Sequence, residues 1–292
     1  MFYYLDIFLM LIEEPFFYDK KIEKPIFIFG YPRSATTGVH ETFYKAAEIS
    51  SITLADVLFK SKISKQIFKI EFVKNFISKL LEKYQSKGHK VSLESLSEEH
   101  LLLFNHFIYF AIPNLYKAVS KKIMDNQKIV LKNDISFIKR VIQRLDNKRY
   151  MGKLLFLDGN YDILKEVFPG MINIHCKRNL KESFISYIIL GYHLSNKQIS
   201  FDEKLFERYI DNHYMLFRQI ELNLKDISYV YTIEFDNWCK DQKTEIINCA
   251  KSINLNINNN FDIYKDGKSD NIPENLMDVL NKKLTDLSKR YE

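Results

Sequence analysis

PIFIFGYPRSATTGVHETF, residues 25–43, decides how this chain folds. Ile26, Phe27, Ile28 and Phe29 form an unbroken apolar run, the pattern of a parallel strand covered on both faces. Gly30 and Pro32 interrupt the run, and from Thr36 onward the spacing turns helical. A strand, a tight loop and a helix start in succession leave the N–H groups of 34–37 without intrahelical partners, where the helix dipole also favours an anion. Arg33 adds a planar fork of donors, and Ser34, Thr36 and Thr37 add hydroxyls. These residues predict a phosphate site. The plainer alternative is an arginine on a surface loop beside hydroxyls that merely cap the helix.

The loop departs from the nucleoside-triphosphate pattern GxxxxGK[ST], because Ala35 rather than Lys precedes Thr36. That disfavours triphosphate hydrolysis. The segment instead resembles the 5′-phosphosulfate loop of the PAPS-dependent sulfotransferases, PxFIxGxPRSGTT followed by a helix. The resemblance implies that Arg33, Ser34, Ala35, Thr36 and Thr37 bind the 5′ end of the co-substrate, and that a later strand, turn and helix hold its 3′-phosphate. FPGMINIHCKRNLKESFISYI, residues 168–188, meets that expectation. It offers an apolar-rich strand over 171–176, Arg178 after it, and Ser186 on the helix beyond. Against the family form FPDAxxIxxxRDPxDxxxSxY, Phe168, Pro169, Arg178, Ser186 and Tyr187 fall in register. Asn179 and Leu180 replace the usual Asp-Pro pair; a proline at the first helical position only pre-sets the turn, so its loss loosens the loop without removing a ligand. Alone, Arg178 reads equally as a solvated residue at a strand end. The order and spacing of the two motifs argue against coincidence.

Fainter echoes run through the rest. GHKVSLESLSEEHLLLFNHF, residues 88–107, matches the family only in composition, and Glu98 and Glu99 are explained by a helix dipole. YVYTIEFDNW, residues 229–238, resembles the late strand written xxxYExL, with Glu234 at the Glu position. Lys132, in VLKND, resembles a lysine that often follows the middle strand of the family.

Alternation of strand and helix patterns predicts an α/β fold with a mostly parallel sheet flanked by helices. The resemblance implies the P-loop, nucleotide-kinase-like version of it. One domain is expected over 1–292, with a helical insertion over 63–124 covering the strand ends, where ligands bind in such sheets. Further strands are expected at 129–131, 154–157 and 229–233. Helices are expected over 160–168, from Ser186 to about 224, near 243–253 and over 273–291.

Composition agrees with a folded chain that binds an acidic ligand. The 292 residues are 46% hydrophobic and carry a net charge of +6, much of it scattered lysine. No recognition signature for nucleic acid accompanies that charge. Cys176, Cys239 and Cys249 form no CxxC and have no paired histidines, so they read as reduced residues, with no metal site expected. Phe2 to Ile12 is apolar apart from Asp6, yet too short to span a bilayer and without the features of a secretory signal. A helix packed across the sheet or an oligomer contact is the main expectation there. Weak membrane-surface contact and substrate-channel lining are the alternatives, and a cytoplasmic location is expected.

The chemistry implied by the resemblance is transfer of a sulfuryl group from PAPS to a hydroxyl or amine, leaving adenosine 3′,5′-bisphosphate. Arg33 and the helix N-terminus would stabilise charge on the leaving phosphate, Thr36 and Thr37 would hold the 5′-phosphate, and Arg178 with Ser186 the 3′-phosphate. The acceptor, small or medium-sized, also needs a base. Asp56 and His40 are the first candidates, and His89 and Glu99 their rivals. Helix capping explains Asp56, and a core hydrogen bond explains His40, without any catalytic role. Ala35 stands where the family has Gly, which costs roughly 1–2 kcal/mol if φ there is positive. The basic-Gly loop of the cytosolic sulfotransferases is not recognisable, although Lys265 or Lys268 offers a cation. A P-loop-like kinase or nucleotide hydrolase, and a catalytically degenerate nucleotide-binding protein, are the competing readings.

Overall fold

Strand β1 (Ile26–Gly30) is buried along its whole length, and its side chains alternate between two cores. Phe27 and Phe29 enter one core with Tyr150, Phe168, Ile138 and Val141. Ile26 and Ile28 enter the other with Val39, Phe43, Met151, Ile174 and Trp238. A strand apolar at every position is required by this arrangement, since neither face meets water. The computed structural model describes residues 2–68, 75, 94–96, 132–146, 148–153, 161–195, 202–258, 260–264 and 272–291.

Around β1 lie β2 (Ile49–Ser50), β3 (Arg149–Lys153), β4 (Ile172–Lys177) and β5 (Tyr231–Glu234), in the order β2-β3-β1-β4-β5. Every pairing is parallel, with Ile28 opposite Lys153 on one side and Gly30 opposite Cys176 on the other. The chain therefore leaves β1 toward β3 in one direction and β4 in the other. The crevice at the carboxyl end of β1 is a topological switch point, the ligand-binding place in open α/β sheets.

Helix α1 (Phe2–Phe17) precedes the sheet, α2 (Thr36–Ala46) follows β1, and α3 (Leu54–Leu58) and α4 (Lys62–Phe68) follow β2. Next come α5 (Lys132–Gln143), α6 (Tyr161–Val167) between β3 and β4, then α7 (Leu180–Ser195) and α8 (Glu203–Lys225). After β5 the chain forms α9 (Phe235–Lys240), α10 (Gln242–Ser252) and the closing α11 (Glu274–Tyr291). Helices α7, α8 and α11 share a third core of Phe184, Phe206, Phe217 and Leu280, which Tyr31 joins by stacking on Phe217 at 5.9 Å. Among the described residues, no helix is long and apolar enough to cross a membrane.

The expected α/β architecture is present. The strand expected at 129–131 lies outside the described residues, as does the one at 154–157, and Lys132 opens α5. Strand β3 occupies RYMGK, whose charged ends mask its core-facing Tyr150 and Met151. Of the helical insertion expected over 63–124, only 63–68, 75 and 94–96 are described.

Candidate anion-binding site

The loop from Gly30 to Thr36 is shaped by contacts that leave little freedom to its residues. A Cβ on Gly30 would come within 2.5 Å of the Cys176 carbonyl, so only glycine lets β1 and β4 meet here. Ser34 is 1% exposed, and its N–H and hydroxyl both donate to the Tyr31 carbonyl, at 3.1 and 2.7 Å. Its hydroxyl thus closes the turn. Arg33 and Ala35 on either side have φ of 70° and 69°. This alternation across Ser34 is the backbone pattern of an anion-binding nest.

Helix α2 then starts with Ala35 as N-cap, with no capping hydrogen bond from its side chain and no acidic residue in the first turn. Its first N–H groups point away from the helix with their dipole uncompensated by a cap. Lys153, at the end of β3 and 8% exposed, donates from Nζ to the Thr37 hydroxyl at 2.9 Å. This places a cation beside the start of α2.

The second motif closes over the first. Arg33 donates from Nε to the Ser186 hydroxyl on α7 at 3.2 Å. Arg178, following β4, donates from Nη1 to the Arg33 carbonyl at 2.7 Å. The Arg178 guanidinium stacks 3.9 Å from the centre of the Phe235 ring and lies 3.6 Å from Glu182. The contact packs the guanidinium over the ring. Beyond it Lys177 pairs with Glu234 at 2.9 Å, tying the ends of β4 and β5.

Arg33, Arg178 and Ser186, distant in sequence, are therefore in direct contact, and Thr36 and Thr37 sit at the helix start beside them. The bonds described for His40 run elsewhere. It is 2% exposed, and Nε2 lies 3.0 Å from the Ser51 hydroxyl and 3.2 Å from the Met151 carbonyl, fastening α2 to the sheet. Asp56 is 5% exposed and completes a capping box on α3, accepting from the Thr53 N–H at 2.8 Å and hydroxyl at 2.6 Å. It also pairs with Lys65. His89, Glu99, Lys265 and Lys268 lie outside the described residues.

Lys153 and Phe235 escape sequence reasoning. Lys153 ends a strand too short and polar at its ends to stand out, while the apolar run after it draws attention downstream. Its one legible signal is a lysine at the junction of RYMG and LLFL. Buried thiols at Cys176 and Cys249 are pushed well above their ordinary range by desolvation, which leaves them protonated and unreactive. Cys239 is exposed.

The five-stranded parallel order and the strand–loop–helix at its switch point define a P-loop-like α/β protein. In overall fold the chain is similar to sulfotransferase STF1 from Mycobacterium tuberculosis H37Rv, with a TM-score of 0.63 at 11% identity over 94% of this chain and 75% of that one. It is likewise similar to sulfotransferase STF9 from Mycobacterium avium, with a TM-score of 0.60 at 12% identity over 96% and 72% of the two chains. No family model matches the sequence, and no curated protein matches it.

Proposed function

We propose that the protein is a PAPS-dependent sulfotransferase acting on a hydroxyl or amine acceptor. The observation that carries this reading is the reciprocal link between the two basic motifs: Arg33 reaches Ser186, and Arg178 reaches the Arg33 backbone, beside the uncapped start of α2. A nucleotide with phosphates at both 5′ and 3′ positions has the charge pattern that two such adjoining anion sites select. Likeness of the fold to the mycobacterial sulfotransferases and the PRSATT loop support the same choice.

In the reaction, the acceptor oxygen or nitrogen bonds to sulfur as the bond from sulfur to the bridging phosphate oxygen breaks. The acceptor loses its proton, and adenosine 3′,5′-bisphosphate leaves. Positioning and charge stabilisation carry most of such a transfer, by analogy with phosphoryl transfer. Arg33, Lys153 and the first N–H groups of α2 receive the charge that develops on the 5′-phosphate, with Thr36 and Thr37 holding its oxygens. Arg178 and Ser186 face the 3′-phosphate, once Ser186 exchanges its bond to Arg33 for one to the ligand.

The test is transfer of radiolabelled sulfate from PAPS to a panel of phenols, alcohols and amines, with Lys153→Met run in parallel. Labelled product with the parent protein, and a loss of at least about tenfold in kcat/KM with the variant, are expected. Transfer undiminished in Lys153→Met removes that residue from the mechanism. Phosphorylated product from γ-phosphate-labelled ATP in place of PAPS overturns the reading.

A further inference from the structure

Four large apolar side chains on α1 face outward. Phe8, Leu11, Ile12 and Phe16 are 58%, 58%, 49% and 81% exposed, and their spacing puts them along one side of the helix. Ile63, at the start of α4, is 43% exposed. The carboxylates of α1 lie on its inner side. Asp6 and Glu13 are each 4% exposed and accept the N–H groups of Lys60, Ser61, Lys62 and Ile63. Glu13 and Glu14 also hold the guanidinium of Arg144, whose side chain has no exposed surface.

An ordinary surface helix keeps its hydrocarbon inside and its charges outside. This helix buries Met10 and its carboxylates while leaving an apolar stripe outside, and that orientation is fixed by its partners. Turning the stripe inward would strip the start of α4 of its acceptors and leave Arg144 buried without an anion, each a heavy penalty. Outward hydrocarbon is therefore built into the fold.

Past α1 the surface becomes basic. Lys20, Lys21 and Lys24 line a cleft of about 520 Å³ together with Lys148 and Arg149, and only Glu23 and Asp146 oppose them. Tyr18, 70% exposed, follows the stripe in the chain just ahead of the lysines of the cleft. Lys62 packs over the Phe17 ring at 5.2 Å, adding a cation at the same end of the helix.

We infer that α1 and this cleft form a docking surface for an anionic lipid bilayer. The stripe enters the boundary between headgroups and acyl chains, α1 lies in the plane of the interface, and the lysines meet anionic headgroups. The charge beside the stripe selects this occupant: anionic headgroups complement the lysines, whereas a second copy of the chain carries the same net charge of +6. This assignment is independent of the sulfotransferase reading.

The test is flotation of the full chain with vesicles of phosphatidylcholine alone and with phosphatidylserine added, at low and high salt. Binding to the anionic vesicles, weakened by salt, is expected. Phe16→Glu should lower partitioning by about tenfold or more, and Lys21→Glu should lower it less, both with an unchanged thermal transition because both sites are exposed. A chain that stays unbound to anionic vesicles at low salt overturns the inference, as does binding that Phe16→Glu leaves intact. A dimer dispersed by Phe16→Glu, without vesicle binding, would assign the stripe to a second copy and overturn it equally.

Discussion

Arg178 donates to the carbonyl oxygen of Arg33 at 2.7 Å, so the second basic motif holds the backbone of the first. Arg33 in turn donates to Ser186 on α7 at 3.2 Å. The two loops are thereby tied together, and the proposed two-phosphate ligand would meet both in a pre-arranged geometry. Preorganisation of this kind lowers the ordering cost of binding.

Replacing Arg178 with Ala removes a charge-assisted bond worth about 1.5–3 kcal/mol, equivalent to a rise of roughly 10- to 100-fold in the dissociation constant for adenosine 3′,5′-bisphosphate. Arg178→Lys should recover only part of that loss, because a single ammonium cannot reproduce the stacked fork over Phe235. Calorimetric titration of both variants checks this, and an unaltered constant in Arg178→Ala would count against its assignment.

Ala35 holds φ at 69°, where a Cβ costs about 1–2 kcal/mol. Ala35→Gly should therefore raise the urea midpoint, by less than that full amount because glycine also gains freedom in the unfolded chain. A midpoint that stays put or falls would show that the loop carries no such strain.

His40 and Asp56 are both tied into local structure, His40 between Ser51 and Met151, Asp56 in the α3 capping box. His40→Gln and Asp56→Asn should each cost about 1–3 kcal/mol of stability and leave kcat of the folded protein largely intact. A collapse of kcat with unchanged nucleotide affinity in either variant would identify it as the acceptor base.

Burial beneath Tyr229, 4.5 Å away ring to ring, lowers the pKa of His175 to about 4. The folded state therefore favours the neutral ring. Its contribution is full above the unfolded value near 6.5 and is lost as pH falls through 6.5 toward 4, amounting to about 3 kcal/mol. His213 is shifted the same way by burial and adds to the slope. Urea midpoints measured from pH 7 to 4 should decline, and His175→Phe, which keeps the stack, should decline less. Equal slopes would remove His175 from the acid response.

The sheet's central strands were legible because β1 is apolar on both faces and β4 sets Ile172, Ile174 and Cys176 on one face, patterns that need no knowledge of the partner. Strand β2 spans two residues and β3 begins and ends in charge, so their identity depends on pairing with β1 and β3 neighbours rather than on local pattern. Helix α5 was missed for a related reason: its start at Lys132 follows a run that reads as a strand ending there. The family resemblance singled out Arg33, Arg178 and Ser186, and the structure brings these three residues together. Lys153 reaches Thr37 only because β3 lies beside β1, a relation set by sheet order. The inward-facing acids of α1 were likewise hidden, because their partners on α4 and α5 lie far along the chain.

Calorimetric titration of the parent protein with adenosine 3′,5′-bisphosphate, beside adenosine 5′-monophosphate and ATP with Mg²⁺, tests the two-phosphate site most directly. Selective binding of the bisphosphate is the expected result. Preference for ATP, or no binding of any of the three by a folded sample, would contradict it.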